Sequence, residues 1–218
     1  MKCRAPRPPR PKKKYTGWQE KQNVIQKNSL TLNYVSRLIF VYLREKAGFG
    51  RKRFERYNNG SQDTGRWYIE RYSTEADTDQ DYAVTSYYAL RSHLRYFNWD
   101  PETELWADDV FDTLVSTDGI VRSKREIIAK NVEYARGISF YAREMLCMAA
   151  KELHDTNGFG RERLNAVLHP VRDRYLELMR LYISESSVAY WDELQKAVDE
   201  FNAIGFFQKE ELGRAFLI

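Results

Sequence analysis

Two seven-residue segments hold the residue types and spacing best suited to chemistry. Gly48-Phe49-Gly50-Arg51-Lys52-Arg53-Phe54 recurs as Gly158-Phe159-Gly160-Arg161-Glu162-Arg163-Leu164, displaced by 110 residues in a chain of 218. Arg51, Lys52 and Arg53, like Arg161 and Arg163, fall in the first turn of the helix that each segment opens. Cations there oppose the helix dipole by up to about 1 kcal/mol each, so a compensating anion is expected. Two kinds would serve: a carboxylate from elsewhere in the fold, or an external phosphate held by helix amino-terminal N–H groups and arginine. Charge distribution favours the phosphate. Residues 37–66 carry Arg37, Arg44, Lys46, Arg51, Lys52, Arg53, Arg56 and Arg66 against only Glu45, Glu55 and Asp63, whereas 75–112 is strongly acidic with Arg91 and Arg95 as its bases. A chain so polarised presents one face to an anionic partner and another that repels it. The candidate anion- or nucleic-acid-binding residues are therefore Arg44, Arg51, Lys52, Arg53, Arg56, Arg161 and Arg163, together with Lys12, Lys13 and Lys14 near the N-terminus.

Other chemistries lack their residues. His93, His154 and His169 are scattered on helices, and His154-Asp155 reads as a helix end beside the second turn. There is no nucleophile elbow, Walker loop or dinucleotide fingerprint, and Gly-Phe-Gly lacks the further glycine of a phosphate loop. Asp77-Thr78-Asp79-Gln80-Asp81 imitates the start of a calcium loop, but Tyr82 stands where glycine is needed and Tyr88 where glutamate is needed. No catalytic residue, metal site or cofactor is assigned. A helix–turn–helix reading fits the glycine and the apolar residue six later, but Arg44 and His154 stand where a small residue is usual. Aromatic residues are 14% of the chain. Core packing explains most of them, but Tyr87, Tyr88, Trp99 and Trp106 accompany the acidic stretch and are the candidates for a protein-partner surface, where such side chains supply contact area at low entropic cost.

The elements that must position these residues are helical. Val35, Leu38, Ile39, Tyr42 and Leu43 lie on one face of a helix before the first turn, and Met145, Met148, Ala149 and Leu153 before the second. After the second turn Leu164, Val167, Leu168, Val171, Tyr175, Leu178, Met179 and Tyr182 continue the period, with a break expected at Pro170. The aligned place in the first half holds Asn58-Asn59-Gly60, where a polar insertion is expected. Tyr87-Tyr88, Leu90, Phe97 and Asn98 match Tyr190-Trp191, Leu194, Phe201 and Asn202 with one gap. Asp100-Pro101 suits the cap and first position of a short helix, and Ser123-Lys124-Arg125-Glu126 a capping box opening a long one. Strand patterns are absent apart from a weak run at 66–72. The fold class expected is all-α: an internally duplicated protein of about eight helices, with two pseudo-symmetric halves at 17–109 and 110–218.

Charge bounds the setting. The chain is formally +4, with 35 basic and 31 acidic residues. Seven of the basic residues lie in residues 1–14, which leaves 28 against 31 and makes the body slightly acidic. Pro6, Pro8, Pro9 and Pro11 interrupt the basic run, so residues 1–16 read as a disordered basic arm rather than a signal peptide. Two cysteines, Cys3 and Cys147, offer no disulfide framework and suit a reducing cytoplasm. No apolar run reaches the roughly 20 residues of a membrane span. The C-terminal Phe206-Phe207 and Phe216-Leu217-Ile218 would tuck into the core or close a homodimer.

The segments Leu38–Tyr57 and Leu146–Val167, each an apolar helix running into Gly-Phe-Gly and a basic turn, resemble small helical proteins of Firmicute phages and mobile elements. The resemblance covers about a fifth of the chain in two copies, and it implies an accessory gene product working in a bacterial host's cytoplasm. Proteins of that kind include inhibitors of host defence such as anti-CRISPR proteins. On the resemblance, the partner would be nucleic acid or a nucleoprotein such as a Cas nuclease with its guide RNA, bound without catalysis. The other reading of the residues is a protein–protein or self-associating module whose turn arginines are internal ion pairs.

Overall fold

The computed structural model describes residues 17–72, 79–106, 122–184 and 187–205. The expected N-terminal arm with Lys12, Lys13 and Lys14, the calcium-like acidic run before Asp79 and the C-terminal residues from Phe206 lie outside the described residues. Seven helices are described: α1 Gly17–Ala47, α2 Arg51–Tyr72, α3 Asp79–Arg95, α4 Pro101–Glu104, α5 Arg122–Asn157, α6 Arg161–Ile183 and α7 Ser187–Ala203. There is no strand among the described residues, and the weak run at 66–72 is the last part of α2. The fold is all-α.

Apolar spacing puts most of each expected face in the core, with Tyr42, Met145 and Met148 only partly buried against it. Val35, Leu38, Ile39 and Leu43 of α1 are fully buried, as are Ala135, Ala142, Leu146, Ala149, Ala150 and Leu153 of α5. The α6 stripe from Leu164 through Met179 is buried at every expected position, and Tyr182 packs at its edge. Asp100 caps α4: its backbone is extended, its carboxylate accepts from the Glu102 N–H at 3.1 Å, and Pro101 follows at the first helical position. That satisfies one of the donors a helix start leaves open.

Both expected breaks are absent. α6 runs through Pro170 from Arg161 to Ile183 although the proline has no N–H for the preceding turn. Val167, Leu168 and Val171, all buried around it, hold the turn in place by packing. α2 likewise runs through Asn58-Asn59-Gly60. Gly60 is there for a tertiary reason: a Cβ at that position would overlap the carboxylate of Glu152 on α5. Glycine lets α2 approach α5 at the cost of about 1 kcal/mol in helix propensity.

α1 packs on α5, α6 and α7, while α5 packs on α1, α2, α3 and α6. Each long helix is thus covered largely by helices from the other end of the chain. One continuous core results, containing buried residues of every described helix except α4, and it crosses the expected division at residues 109 and 110. Ion pairs lock the seams. Arg174 of α6 binds Glu193 and Glu200 of α7, and the Tyr34 hydroxyl of α1 donates to Glu193 at 2.7 Å. No helix among the described residues is long and apolar enough to cross a membrane.

Candidate nucleic-acid interface

The two GFG turns have the same local geometry. Gly48 and Gly158 both sit at φ +62°, a left-handed conformation that ends α1 and α5 and that residues with a Cβ rarely adopt. In each turn the N–H after that glycine reaches back across the helix end at 3.1 Å, Phe49 to the Leu43 carbonyl and Phe159 to the Leu153 carbonyl. Phe49 and Phe159 are buried, and their rings meet edge to face with centroids 5.9 Å apart. The two turns therefore meet through these rings. Gly160, which precedes α6, offers no side-chain cap.

The arginines that follow are partly claimed by the fold. Arg51 pairs with Glu55 at 2.8 Å, an exposed pair worth a few tenths of a kcal/mol. Arg161 reaches Glu104 at 2.8 Å, and that carboxylate, 7% exposed, also accepts from the Asn165 side chain at 2.6 Å. Arg53 and Arg163 lie over the rings of Phe49 and Phe159, at 5.7 and 3.9 Å from the centroids. Such cation–π contacts contribute about 0.5–1 kcal/mol at exposed positions. Arg44 donates from Nη1 to the Phe49 carbonyl at 2.9 Å, so it braces the first turn. Lys52, Arg53, Arg56 and Arg163 are exposed, and no ion pair is described for them among the described residues. α2 has no acid in its first turn, whereas α6 has Glu162. Both compensators foreseen for the turn cations are thus relevant: internal carboxylates take Arg51 and Arg161, and the remainder face solvent.

The expected aromatic partner surface is corrected. Tyr87, Trp99 and Trp106 are 1%, 1% and 4% exposed and belong to the core. Trp99 Nε1 donates to Asn165 at 2.8 Å, the Tyr87 hydroxyl donates to Glu102, and the Arg143 guanidinium covers the Trp106 ring at 4.9 Å. The polar tips of Trp99 and Tyr87 thus fasten the α3–α4 region to α6 and to α4, whereas Trp106 is held through its ring, its indole N–H being buried without a hydrogen-bond partner. Only Tyr88 of the four is exposed, and its ring rests edge-on against Tyr87. The neighbouring acids are likewise engaged: Arg91 holds Asp100 through two bonds at 2.8 and 2.9 Å, which keeps that carboxyl below the usual range.

One feature escaped sequence reasoning. A cleft of about 430 Å³ opens between α2, α3 and α5, lined by Asp63, Thr64, Trp67, Tyr68, His93 and Lys151. Trp67 is 55% exposed at its rim. Burial pushes the Tyr68 hydroxyl up to about 12, with Tyr72 adding to it. Lys151 donates to Asp155 at 2.8 Å; burial would raise this carboxyl, but its bonds from Lys151 and His154 outweigh that and hold it low. The sequence signal was a tryptophan on the polar stripe of α2, 11 residues from Arg56 and thus three turns along the same face. Among the described residues no three His, Cys, Asp or Glu side chains are grouped as metal ligands would be. No protein-family model, curated protein or solved structure matches the chain.

Proposed function

We propose that the chain is a binding protein for nucleic acid or a nucleoprotein complex, and that it takes phosphates on the face formed by the two GFG turns. The observation that carries this reading is the contact of Phe49 with Phe159. It joins the two turns, and each turn opens a helix whose amino end carries partial positive charge beside exposed cations, Lys52, Arg53 and Arg56 on α2 and Arg163 on α6. Oriented N–H groups and guanidinium donors at one place are what phosphate recognition requires. Nothing in the proposal asks for bond-making chemistry. Following the resemblance of the GFG segments, the nucleoprotein would be a host defence nuclease with its guide RNA.

Anisotropy of labelled duplex and single-stranded oligonucleotides, titrated over a salt series, tests the reading. Phosphate neutralisation makes log Kobs fall linearly with log salt. Binding that is flat with salt, or no binding at 50 mM salt, would remove it.

A second reading is favoured by the Arg51–Glu55 and Arg161–Glu104 pairs and by the two ring contacts. There the turn cations serve only the fold, and the chain is a protein–protein or self-associating module. Arg51→Glu with Arg53→Glu separates the two. Loss of nucleic-acid binding at an unchanged melting temperature supports the first, and a lowered melting temperature with no nucleic-acid binding in either form supports the second.

A further inference from the structure

The cleft beside Trp67 lies on the same helix face as the basic start of α2. Arg56 and Trp67 are 11 residues apart, about 16 Å along the axis at 1.5 Å per residue, and 11 residues bring the helix back to nearly the same direction. Lys52 precedes Arg56 by one turn. α2 therefore presents cations at one end of a stripe and a half-exposed indole at the other. The cleft is lined mainly by carbon: the indole, the Tyr68 ring meeting it edge to face at 4.8 Å, and the His93 imidazole, whose buried Nε2 lies 3.8 Å from Asp155. Its polar groups are of both kinds; the Thr64 hydroxyl donates to Glu152, and Asp63 also faces Arg66 at 3.8 Å. The Asp63 carboxylate accepts, and the Lys151 ammonium has donors beyond the one given to Asp155.

We infer that this cleft takes one unstacked base of a single-stranded nucleic acid, stacked on Trp67, while the phosphates on its flank lie along α2 toward Arg56 and Lys52. This deepens the proposed function and rests on it. A base offers a flat π-face to the indole and an edge with both donors and acceptors to Asp63 and Lys151. The volume suits a small planar ligand. A duplex keeps its bases paired and stacked and cannot offer one, so the preference is for single strands. Stacking of this kind tolerates any base, because every base has a π-face.

The test uses the full chain with three probes of equal length: a twelve-residue oligothymidine, the same sugar–phosphate chain without bases, and a twelve-base-pair duplex. Expected are tighter binding of the oligothymidine than of the abasic chain and a quench of tryptophan fluorescence with the oligothymidine only. Trp67→Ala should weaken oligothymidine binding about 5- to 100-fold and change abasic and duplex binding less than twofold. Trp67→Phe should abolish the quench while keeping most of the affinity, and an unchanged helical spectrum shows that each variant is folded. Equal binding of all three probes, unaltered by Trp67→Ala, overturns the base site and leaves phosphate binding at the turns standing. Failure of every probe to bind overturns both.

Discussion

Replacing the two turn phenylalanines by leucine, singly and together, asks whether the GFG turns are one structural joint. Phe49 and Phe159 are buried, so each change removes ring volume from a packed site. Truncating a buried phenylalanine to alanine costs about 3–5 kcal/mol, and leucine retains enough volume to bring each single change to about 1–2 kcal/mol. Phe49→Leu also loses the ring of Phe54 at 5.6 Å, and Phe159→Leu loses the Arg163 guanidinium at 3.9 Å. Those losses occur in the single and double variants alike and cancel in a double-mutant cycle. What remains is the edge-to-face pair at 5.9 Å and 88°, worth about 0.5–1.5 kcal/mol. The double variant should therefore be less destabilised than the sum of the singles by that amount. Urea unfolding followed by helical circular dichroism measures it, with unchanged m-values as the check on two-state behaviour. Additivity to within about 0.3 kcal/mol would mean that the rings do not support each other, and the two turns would not be one joint.

Gly60→Ala should push the buried Glu152 carboxylate away from the Thr64 and Thr156 hydroxyls that donate to it, a loss of about 1–3 kcal/mol; a gain in stability, as helix propensity alone predicts, would refute the close approach of α2 and α5. Trp99→Phe leaves Asn165 Oδ1 without its donor and should cost about 1–3 kcal/mol in urea unfolding, whereas a change under 0.3 kcal/mol would argue for an exposed ring. Burial first, and then Glu144, push the Cys147 thiol well up. In a Cys3→Ser protein a thiol reagent at pH 8 should react only after urea is added, and fast native reaction would contradict that burial. Asp100→Asn removes a carboxyl held low by Arg91. A depressed folded pKa contributes stability above the unfolded value of about 4 and loses it as pH falls through the folded value. The gap between wild type and variant, about 1–3 kcal/mol at pH 7, should therefore close progressively as pH falls below the unfolded value, and a gap independent of pH would remove the Arg91 pair as its cause.

Local rules carried from residue types to structure where the determinant was itself local. Gly48 and Gly158 adopt the left-handed cap that an apolar helix ending in glycine suggests, Asp100-Pro101 caps α4, and the stripes of α1 and α6 point inward as their 3.6-residue period requires. Reasoning failed where a distant residue decided. Gly60 reads as a break until Glu152 is placed against it, and Pro170 reads as one until the packing around it is known. Trp99 and Trp106 look like surface material beside so many acids, yet the partners that bury them, Asn165 and Arg143, are about 66 and 37 positions away in the chain. The candidate cations were legible as a cluster, but the claim of Glu104 on Arg161 was not, since it depends on how α4 sits against α6. Trp67 stands in the 66–72 run that reads weakly as a strand, and only the assembled α2, α3 and α5 make its cleft.

The account stands most directly on the salt dependence of the full chain with Lys52, Arg53 and Arg56 replaced together by glutamine. These side chains are exposed, so the variant should unfold at a temperature close to the wild type. Each lost phosphate contact lowers the slope of log Kobs against log salt by about 0.7 for a single strand. The wild-type slope should therefore fall in magnitude by about 2 in the folded variant, with much weaker binding at 50 mM salt. An unchanged slope and affinity in that variant would contradict the assignment of the GFG face as the place where phosphates bind.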